Sequence, residues 1–517
     1  MSETGRVGRS LKNMFYAIGS QLIMTVVSFI SRTVFVHTLN SEYLGINGLF
    51  GNILSILALA EMGIGTAIIF SLYKPLAEHD EGKIASLMRL YKRTYTIIGL
   101  FILIAGCSLT PFLNVFVSEM PDIANIRLIY VLYVANTAVA YFYSYKGMLI
   151  NADQKQYITT LITVVTSVIM HIIQIIILVF THNFLLYLIT MVLTTLLRNV
   201  CISYRADRLY PFLKKIKPEP LPQEEKITIV NNVKAMLMHR IGGVIVDSTD
   251  NILISKFVNV VVVGLYSNYY LITHTLSSIY TLLFNALVAS VGNLGALESK
   301  EKVYDNFKTI NFATSWLYCF SFVCLFNLFN PFIHLWIGED YLFALPLVFI
   351  ISFNFYLTGM RNSLLTFRTA LGLFWNDRYK AVIEAGAHLV LAIVFGKLWG
   401  AMGIFVSTAT TTICVCLTIE PYITFKYGFG QNVGRYYIDY AKNTVLSLAL
   451  AFLIHYLGSM IVVGPLLTLV IKLVLCLVIP NAVFWLLYRK TEAYNRLMSI
   501  VKSKIIGRIL HKTGGNG

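Results

Sequence analysis

Residues 156–181 read QYITTLITVVTSVIMHIIQIIILVFT, a run without a single Asp, Glu, Lys or Arg. A helix needs about 20 mostly apolar residues to cross the hydrocarbon core of a bilayer, so the run predicts a transmembrane helix. Comparable runs recur from Leu11 to Leu487. Across the chain, 57% of the 517 residues are hydrophobic and only 13% are charged. Soluble proteins have about 25% charged residues, so this is the composition of an integral membrane protein.

Fourteen stretches are long enough to span a membrane. The longest polar stretch between them, residues 205–226, has the composition of a linker and is too short for a catalytic domain. We therefore predict an all-α integral membrane protein of about fourteen transmembrane helices that is not an enzyme. The predicted spans are residues 11–37, 43–73, 86–114, 124–150, 155–181, 183–205, 228–257, 260–291, 305–332, 342–370, 379–398, 400–425, 434–458 and 462–488.

The 41 Lys and Arg residues are distributed very unevenly between the two sides of these spans. With a cytoplasmic amino terminus, 31 lie on the cytoplasmic side, seven lie within spans, and three (Arg127, Lys256 and Lys397) lie outside. Cytoplasmic loops of membrane proteins carry such an excess of basic residues. The pattern predicts that both termini are cytoplasmic. Topology and contact with anionic lipids then explain the net charge of +16, and no nucleic-acid partner is expected.

The chain contains two copies of one unit. Most of the first copy matches the second at a shift of 219 residues, and Lys146 matches Arg368 at a shift of 222. Each copy holds six spans, an even number, so the repeat is parallel. We predict two pseudo-symmetric six-helix lobes followed by two further helices. The pairs matched at 219 include Asn13 and Asn232, Ser28 and Asp247, Ser31 and Asp250, Arg32 and Asn251, and Gly45 and Gly264.

The repeat sets the predicted domain boundaries. Residues 1–205 form an N-terminal lobe, residues 206–227 a proline-rich cytoplasmic linker, and residues 228–425 a C-terminal lobe. Residues 426–490 hold spans thirteen and fourteen. Residues 491–517 form a basic amphipathic tail, which we expect on the cytoplasmic membrane surface.

Polar side chains lie on one face of several spans, at helical spacing. An Arg or Asp at the centre of a span costs about 2.5–3.5 kcal/mol on insertion, and such groups face protein or water rather than lipid. Their recurrence predicts a shared hydrated cavity between the lobes. The candidate substrate-binding residues are Arg32, Arg240, Arg361, Arg368, Lys146, Asn13, Gln21 and Asn251.

Several of these candidates also have a structural alternative. Arg32 and Arg368 lie near span ends, where a long basic side chain reaches the headgroups. Lys146 lies near the cytoplasmic end of span four, where it can anchor the helix at the membrane surface. Arg240 can form an internal ion pair with Asp247, seven residues further on. The sequence leaves these alternatives open.

Three carboxylates within spans are candidates for coupling to H+ or Na+: Asp247, Asp250 and Glu61. A hydrogen-bonded structural role is the alternative for Glu61. No Gly-rich phosphate loop followed by Lys-Ser or Lys-Thr is present, so ATP hydrolysis by this chain is not expected. The seven cysteines lie in apolar runs, and Cys414-x-Cys416 lacks the spacing and the His partners of a zinc site. We expect no metal site and no cofactor.

Several stretches resemble the polysaccharide repeat-unit flippases (Wzx-type) of the multidrug/oligosaccharidyl-lipid/polysaccharide exporter superfamily. The resemblance also covers residues 247–251, 264–266 and 361–378, and so extends over most of the chain. The first eighty residues resemble the branch that exports capsule and exopolysaccharide units, whereas the later helices mark only the superfamily. The stretches that carry it are residues 28–32 (SFISR), 42–50 (EYLGINGLF), 60–65 (AEMGIG) and 71–77 (SLYKPLA).

The resemblance implies a protein of the inner membrane that moves undecaprenyl-pyrophosphate-linked oligosaccharides from the inner to the outer leaflet by alternating access. It also implies a polysaccharide polymerase and a chain-length regulator as candidate partners, besides membrane lipids. Guanidinium groups bind phosphate bidentately, so Arg32, Arg240 and Arg361 are suited to hold the pyrophosphate.

Three other functions are alternatives. A lipid II flippase belongs to the same superfamily and has a similar cationic cavity. A cation-coupled multidrug exporter should bind cationic drugs through carboxylates, whereas the candidate cavity here is rich in Arg. A polysaccharide polymerase or ligase typically has a large extracytoplasmic loop, and the longest outer loop here, near residues 113–124, is too short for one.

Overall fold

The computed structural model describes residues 3–61, 64–373, 376–461 and 463–499, and within these ranges the chain forms helices and no strand. It divides into two compact units, Met1–Ser267 and Asn268–Gly517. The helices up to the division are α1 (Glu3–Thr38), α2 (Ser41–Leu57), α3 (Ile64–Glu78), α4 (Glu81–Ser108), α5 (Ile126–Tyr141), α6 (Ser144–Ala152), α7 (Gln156–Thr181), α8 (Phe184–Leu209), α9 (Phe212–Lys215) and α10 (Gln223–Phe257).

The division between the units lies within α11 (Val260–Leu297). The helices of the second unit that follow are α12 (Lys300–Ile337), α13 (Leu345–Met360), α14 (Asn362–Ala370), α15 (Lys380–Thr411), α16 (Leu417–Ile423), α17 (Gly434–Ser459) and α18 (Pro465–Tyr488). Two π-helical segments, Thr412–Cys416 and Thr424–Phe429, flank α16.

The predicted fold class is confirmed. Within the described residues, each of the fourteen predicted spans is mostly helical, and several of them consist of more than one helical piece. By length and composition alone, eight helices of the described ranges are able to cross a membrane, and the bent pair α5–α6 makes a ninth. The count is lower than fourteen partly because some predicted spans are broken into helices that are individually too short to cross a membrane. In addition, the 50-residue run Lys380–Phe429 counts once although it contains two predicted spans.

Gly400 separates those two spans. Its backbone has φ 59° and ψ −139°, a conformation that is essentially confined to glycine. Three residues later, a Cβ on Gly403 would lie 1.9 Å from the carbonyl oxygen of Phe395. The chain therefore reverses at Gly400 so tightly that only glycine fits at both positions.

The fourth span of each copy is broken. In the first unit α5 and α6 meet at Phe142–Tyr143 with a bend of 41°, and in the second unit α13 and α14 meet at Arg361. The two breaks lie within about one helical turn of equivalent repeat positions. At the first break the side chain of Asn199 donates to the carbonyls of Val139 and Ala140, 2.9 and 3.2 Å away. Side-chain groups thus replace the lost helical bonds, as a helix break inside a membrane requires.

Large apolar side chains remain exposed along helices that the sequence places in the membrane. On α7 these include Ile172, Ile176 and Phe180, the last of them 79% exposed. On α18 they include Val470 and Leu477. Water would leave such faces unstable, whereas lipid solvates them. The chain is accordingly a multi-pass helical membrane protein.

Two glycines matched by the repeat make reciprocal contacts inside the first unit. A Cβ on Gly45 of α2 would lie 2.0 Å from the carbonyl oxygen of Val260, and one on Gly264 would lie 2.2 Å from that of Ser41. Val260 is the repeat equivalent of Ser41 at the same shift of 219 residues. Residue i of one copy thus contacts residue j of the other and the reverse, which is the signature of a two-fold relation between the first turns of α2 and α11.

Replacing Gly45 with Ala should destabilise the protein, because a methyl group at 2.0 Å from an oxygen forces the two helices apart. Overpacking of this kind costs about 1–3 kcal/mol. The measurement is the midpoint of thermal unfolding in detergent. Gly51→Ala, on the same helix with nothing within 4 Å of the added Cβ, is the matched control and should not lower the midpoint. Equal midpoints for the two variants would contradict the close contact.

Candidate functional site

Arg32 lies on α1 in the first unit and is half-buried. Its NH1 group donates to the Ser267 hydroxyl at 2.9 Å. The Tyr133 and Tyr187 hydroxyls lie close enough to interact with the guanidinium electrostatically. Among the described residues no carboxylate lies within ion-pair distance of it. A guanidinium has five N–H donors, so most of them are not used by the protein.

The groups around Arg32 are neutral hydrogen-bonding groups. Tyr133 donates to Asn47 Oδ1 at 2.5 Å. The hydroxyl of Ser31, the residue before Arg32, lies 3.1 Å from His171 Nδ1. Among the residues that the structure describes, the site therefore has one fixed positive charge with polar but uncharged neighbours, an arrangement that suits an anion and repels a cation.

Asn13 and Gln21 precede Arg32 on α1, and the structure uses them differently. The Asn13 amide donates to the carbonyl of Gln154 at 3.0 Å and accepts from the backbone N–H of Tyr157 at 2.9 Å. Both of its amide groups thus hold α1 to the first turn of α7. The Gln21 side chain makes no hydrogen bond within the described ranges.

Glu61 lies at the break between α2 and α3, at the end of the 3-10 segment Ala58–Glu61. Its Oε1 accepts a hydrogen bond of 3.0 Å from the Tyr95 hydroxyl, and Tyr141 is close enough to interact with it. A Cβ on Gly65 would lie 3.3 Å from the same carboxylate oxygen. Glycine at this position therefore leaves room for the carboxylate inside the helical core.

Lys146 is engaged in an ion pair. Its ammonium lies 2.6 Å from Asp207 Oδ1 and donates to the Ser203 hydroxyl at 2.9 Å. Asp207 also lies 3.1 Å from the Lys214 ammonium. Arg368, the repeat equivalent of Lys146, forms an ion pair with Asp377, whose side chain is 2% exposed. Both copies of this position hence have a carboxylate partner.

Arg361 is the centre of a buried charge network in the second unit. Its Nε and NH2 groups donate to Glu420 Oε2 and Oε1 at 2.9 and 2.6 Å, and NH1 lies 3.7 Å from Glu384 Oε1. The Lys380 ammonium lies 2.7 Å from both Glu384 Oε2 and Glu420 Oε1. The Cys416 thiol donates to Glu384 Oε1 at 2.8 Å. Two cations and two anions leave the network electrically neutral.

Helix irregularities bring this network together. Arg361 is the residue at the α13–α14 break, and Glu420 lies on α16 between the two π-helical segments, which often mark functional sites. Pro421 has no N–H to bond the carbonyl four residues earlier, that of Leu417. The Tyr437 hydroxyl donates to this carbonyl instead, at 3.0 Å. The distorted helix is thus satisfied by a side chain from α17.

The remaining predicted residues lie on α10. Asn251, the repeat equivalent of Arg32, has a buried Oδ1 that accepts no hydrogen bond from the residues that the structure describes. Asp250 is half-buried. Arg240 and Asp247 lie outside the residues whose side chains the structure describes. In the described ranges no group of three or more His, Cys, Asp and Glu side chains is arranged to hold a metal ion.

Sequence reasoning missed the charge network around Arg361, because Lys380 was counted among the cytoplasmic basic residues and neither Glu384 nor Glu420 was singled out. One signal was present: Lys380 and Glu384 are four residues apart on one helix face, and Glu420 precedes a proline in an apolar stretch. Arg198, half-buried in α8, was also passed over. No ion pair of Arg198 is present in the described part of the chain.

Arg361→Ala should lower the thermal unfolding midpoint strongly, because it leaves two buried carboxylates with one ammonium. Removing one member of a buried ion pair costs about 3–5 kcal/mol. The control is Arg496→Ala, whose side chain is 42% exposed and pairs with Glu492 at 2.6 Å. An exposed pair contributes about 0–1 kcal/mol. Similar small effects of the two substitutions would show that the network does not stabilise the second unit.

No protein-family model matches the sequence, and no curated protein matches it. Solved structures do share its fold. A lipid II flippase, MurJ, in an inward closed conformation aligns with a TM-score of 0.61 and 16% identity over 93% of this chain and 99% of that chain. An inward-facing multidrug resistance MATE family transporter of the MOP superfamily aligns with a TM-score of 0.61 and 13% identity, over 80% of this chain and 98% of the other.

A mutant of the MATE transporter VcmN of Vibrio cholerae aligns with a TM-score of 0.55 and 11% identity, over 83% of this chain and 98% of that chain. At such identities the likeness concerns the fold. The chain has the helical fold of these membrane transporters, which confirms the predicted fold class, whereas the exporter superfamily and its Wzx-type branch stay predictions.

Proposed function

We propose that the protein is a flippase of the cytoplasmic membrane, with both termini cytoplasmic. Its substrates are oligosaccharide repeat units linked to undecaprenyl pyrophosphate, which it moves from the inner to the outer leaflet by alternating access for capsule or exopolysaccharide synthesis. The transporter fold and the resemblance of the first eighty residues to the Wzx-type branch support this proposal. Neither a catalytic centre nor a cofactor is part of it.

The observation that carries the proposal is the guanidinium of Arg32, which has no carboxylate partner among the described residues. Lys146, Arg361 and Arg368 each have a carboxylate partner, whereas Arg32 has only a hydroxyl and neighbouring tyrosines in the described residues. A guanidinium within a span is unfavourable without a compensating charge. A pyrophosphate headgroup offsets this when bound, because its oxygens accept two parallel N–H bonds from one guanidinium.

The other predicted residues take supporting roles in this proposal. Asn13 fixes α1 against α7 and so sets the position of Arg32. Arg361, Arg368 and Lys146 would have to exchange a carboxylate for a phosphate to contact the substrate, so we assign them to positioning their helices. Arg240, Gln21 and Asn251 remain candidates for contact with the headgroup or the sugar.

A lipid II flippase is the second candidate, and one observation favours it. The MurJ structure aligns over 93% of this chain, whereas the two MATE structures align over 80% and 83%. Lipid II also has a pyrophosphate headgroup, so Arg32 serves both candidates. A multidrug exporter fits less well, because a cationic drug needs a carboxylate where this site presents Arg32.

Arg32→Gln should abolish most transport while the protein remains inserted. Losing a hydrogen bond to a charged group costs about 1.5–3 kcal/mol, which corresponds to a roughly 10- to 100-fold loss of flipping rate. Arg32→Lys keeps the charge but not the fork of donors and should retain an intermediate rate. The measurement is the amount of lipid-linked oligosaccharide that accumulates on the cytoplasmic leaflet of cells carrying each variant.

Arg89→Gln is the control, since Arg89 is exposed on α4. It should transport as the unaltered protein does. Full transport by Arg32→Gln at equal protein levels would refute the role of Arg32. Accumulation of lipid II in place of repeat units, with loss of viability, would favour the second candidate.

Glu61→Gln should uncouple transport from an ion gradient, because Glu61 is an embedded carboxylate at a helix break, where it accepts a hydrogen bond from the Tyr95 hydroxyl. The measurement is flipping in inverted membrane vesicles with and without an imposed H+ or Na+ gradient. Glu78→Gln on α3, an exposed residue paired with Lys74, is the control and should stay gradient-dependent. A Glu61→Gln variant that still responds to the gradient would remove Glu61 from the coupling step.

A further inference from the structure

The Lys380 ammonium occupies the position of a bound cation. It lies 2.7 Å from Glu384 Oε2 and 2.7 Å from Glu420 Oε1, between the two carboxylates. Lys380 is 7% exposed and Glu420 is 1% exposed. Ammonium–carboxylate bonds of this length are at the short end of their normal range. The ammonium is therefore coordinated by buried anionic oxygens rather than solvated by water.

Arg361 does not replace Lys380 in this arrangement. Its two short bonds, 2.9 and 2.6 Å, both go to Glu420, and it approaches Glu384 only to 3.7 Å. The Cys416 thiol donates to Glu384 but carries no positive charge. Glu384 thus depends on Lys380 as its close cation, and without Lys380 the network would carry one net negative charge.

We propose that the second unit contains a monovalent-cation site that the chain fills with its own side chain, the Lys380 ammonium standing where a free K+ or NH4+ ion would otherwise bind. Oxygen ligands from two carboxylates suit such an ion, and both ions are close to a lysine ammonium in size. The site is permanently occupied in the unaltered protein. Unit two consequently has a fixed internal cation at this place and exchanges none with the solvent.

The position of Lys380 gives a free ion a route to the site once the lysine is removed. Lys380 is the first residue of α15, next to the cytoplasmic segment that the distribution of basic residues predicts around Arg378. An ion entering from the cytoplasm therefore has a short path to the two carboxylates. The proposal concerns the occupancy of this network alone, so its failure would leave the proposed transport function untouched.

Lys380→Ala tests the proposal by opening the site. The purified variant is unfolded thermally in detergent while NH4Cl or KCl replaces choline chloride at constant ionic strength. We expect a lower unfolding midpoint than that of the unaltered protein in choline, and a saturable rise of the midpoint as NH4+ or K+ is added. The unaltered protein should show the same midpoint in all three salts.

Two further variants separate cation binding from general salt effects. Lys380→Ala combined with Glu384→Gln restores neutrality without a cation and should lose the dependence on NH4+ and K+. Lys302→Ala removes a lysine from an exposed pair with Glu298, also at i and i+4 spacing. It should respond to the salts as the unaltered protein does.

Three results would overturn the proposal. The first is a Lys380→Ala midpoint that is the same in choline, NH4+ and K+. The second is a saturable cation effect on the unaltered protein. The third is a Lys380→Ala variant that cannot be recovered folded in any of the salts, although the neutral double variant can, because charge would then be compensated only by a tethered group.

Discussion

The bilayer contains no water to satisfy a polar group, and this constraint governs every irregular feature of the chain. Backbone groups must be bonded internally, so the described residues form helices and each break brings its own replacement partners. Asn199 bonds the carbonyls at the α5–α6 break. The Tyr437 hydroxyl donates to the Leu417 carbonyl, to which Pro421 has no N–H to donate. Breaks inside the membrane are thus fixed points of the structure, each held by a particular side chain.

The same constraint applies to buried charges, and the two units differ in how these charges are compensated. In the second unit Arg361, Lys380, Glu384 and Glu420 cancel one another, which makes a network that is rigid and expensive to disrupt by removing one member. In the first unit Arg32 has hydroxyl neighbours and no carboxylate in the part of the chain that the structure describes. A network without net charge attracts an anion only weakly, whereas a guanidinium without a nearby carboxylate has a net positive charge that attracts it. In the proposed flippase, this difference in charge compensation, not the number of arginines, is the reason for assigning the anionic headgroup to Arg32.

The sequence predicted the spans because hydropathy and charge distribution are properties of consecutive residues. It also predicted the repeat, and the reciprocal contacts of Gly45 and Gly264 agree with it. The ion-pair partners were not predictable in this way. Glu420 lies 59 residues from Arg361 and Asp207 lies 61 residues from Lys146. Pairing over such separations depends on how each helix is rotated, which a single hydropathy profile does not contain. The break at Arg361 was equally hidden, since no proline or glycine marks that residue itself.

The internal repeat shows how the two copies came to differ. Lys146 and Arg368 occupy matched positions, and both are basic and paired with an aspartate, so this feature is common to the copies. Arg32 and its equivalent Asn251 are not alike: the first has a positive charge, whereas the second has a neutral amide with a buried oxygen that accepts no hydrogen bond from the described residues. Likewise Ser28 and Ser31 match Asp247 and Asp250. Where the copies differ in charge, as at Arg32 and Asn251, the scaffold imposes no common requirement on them.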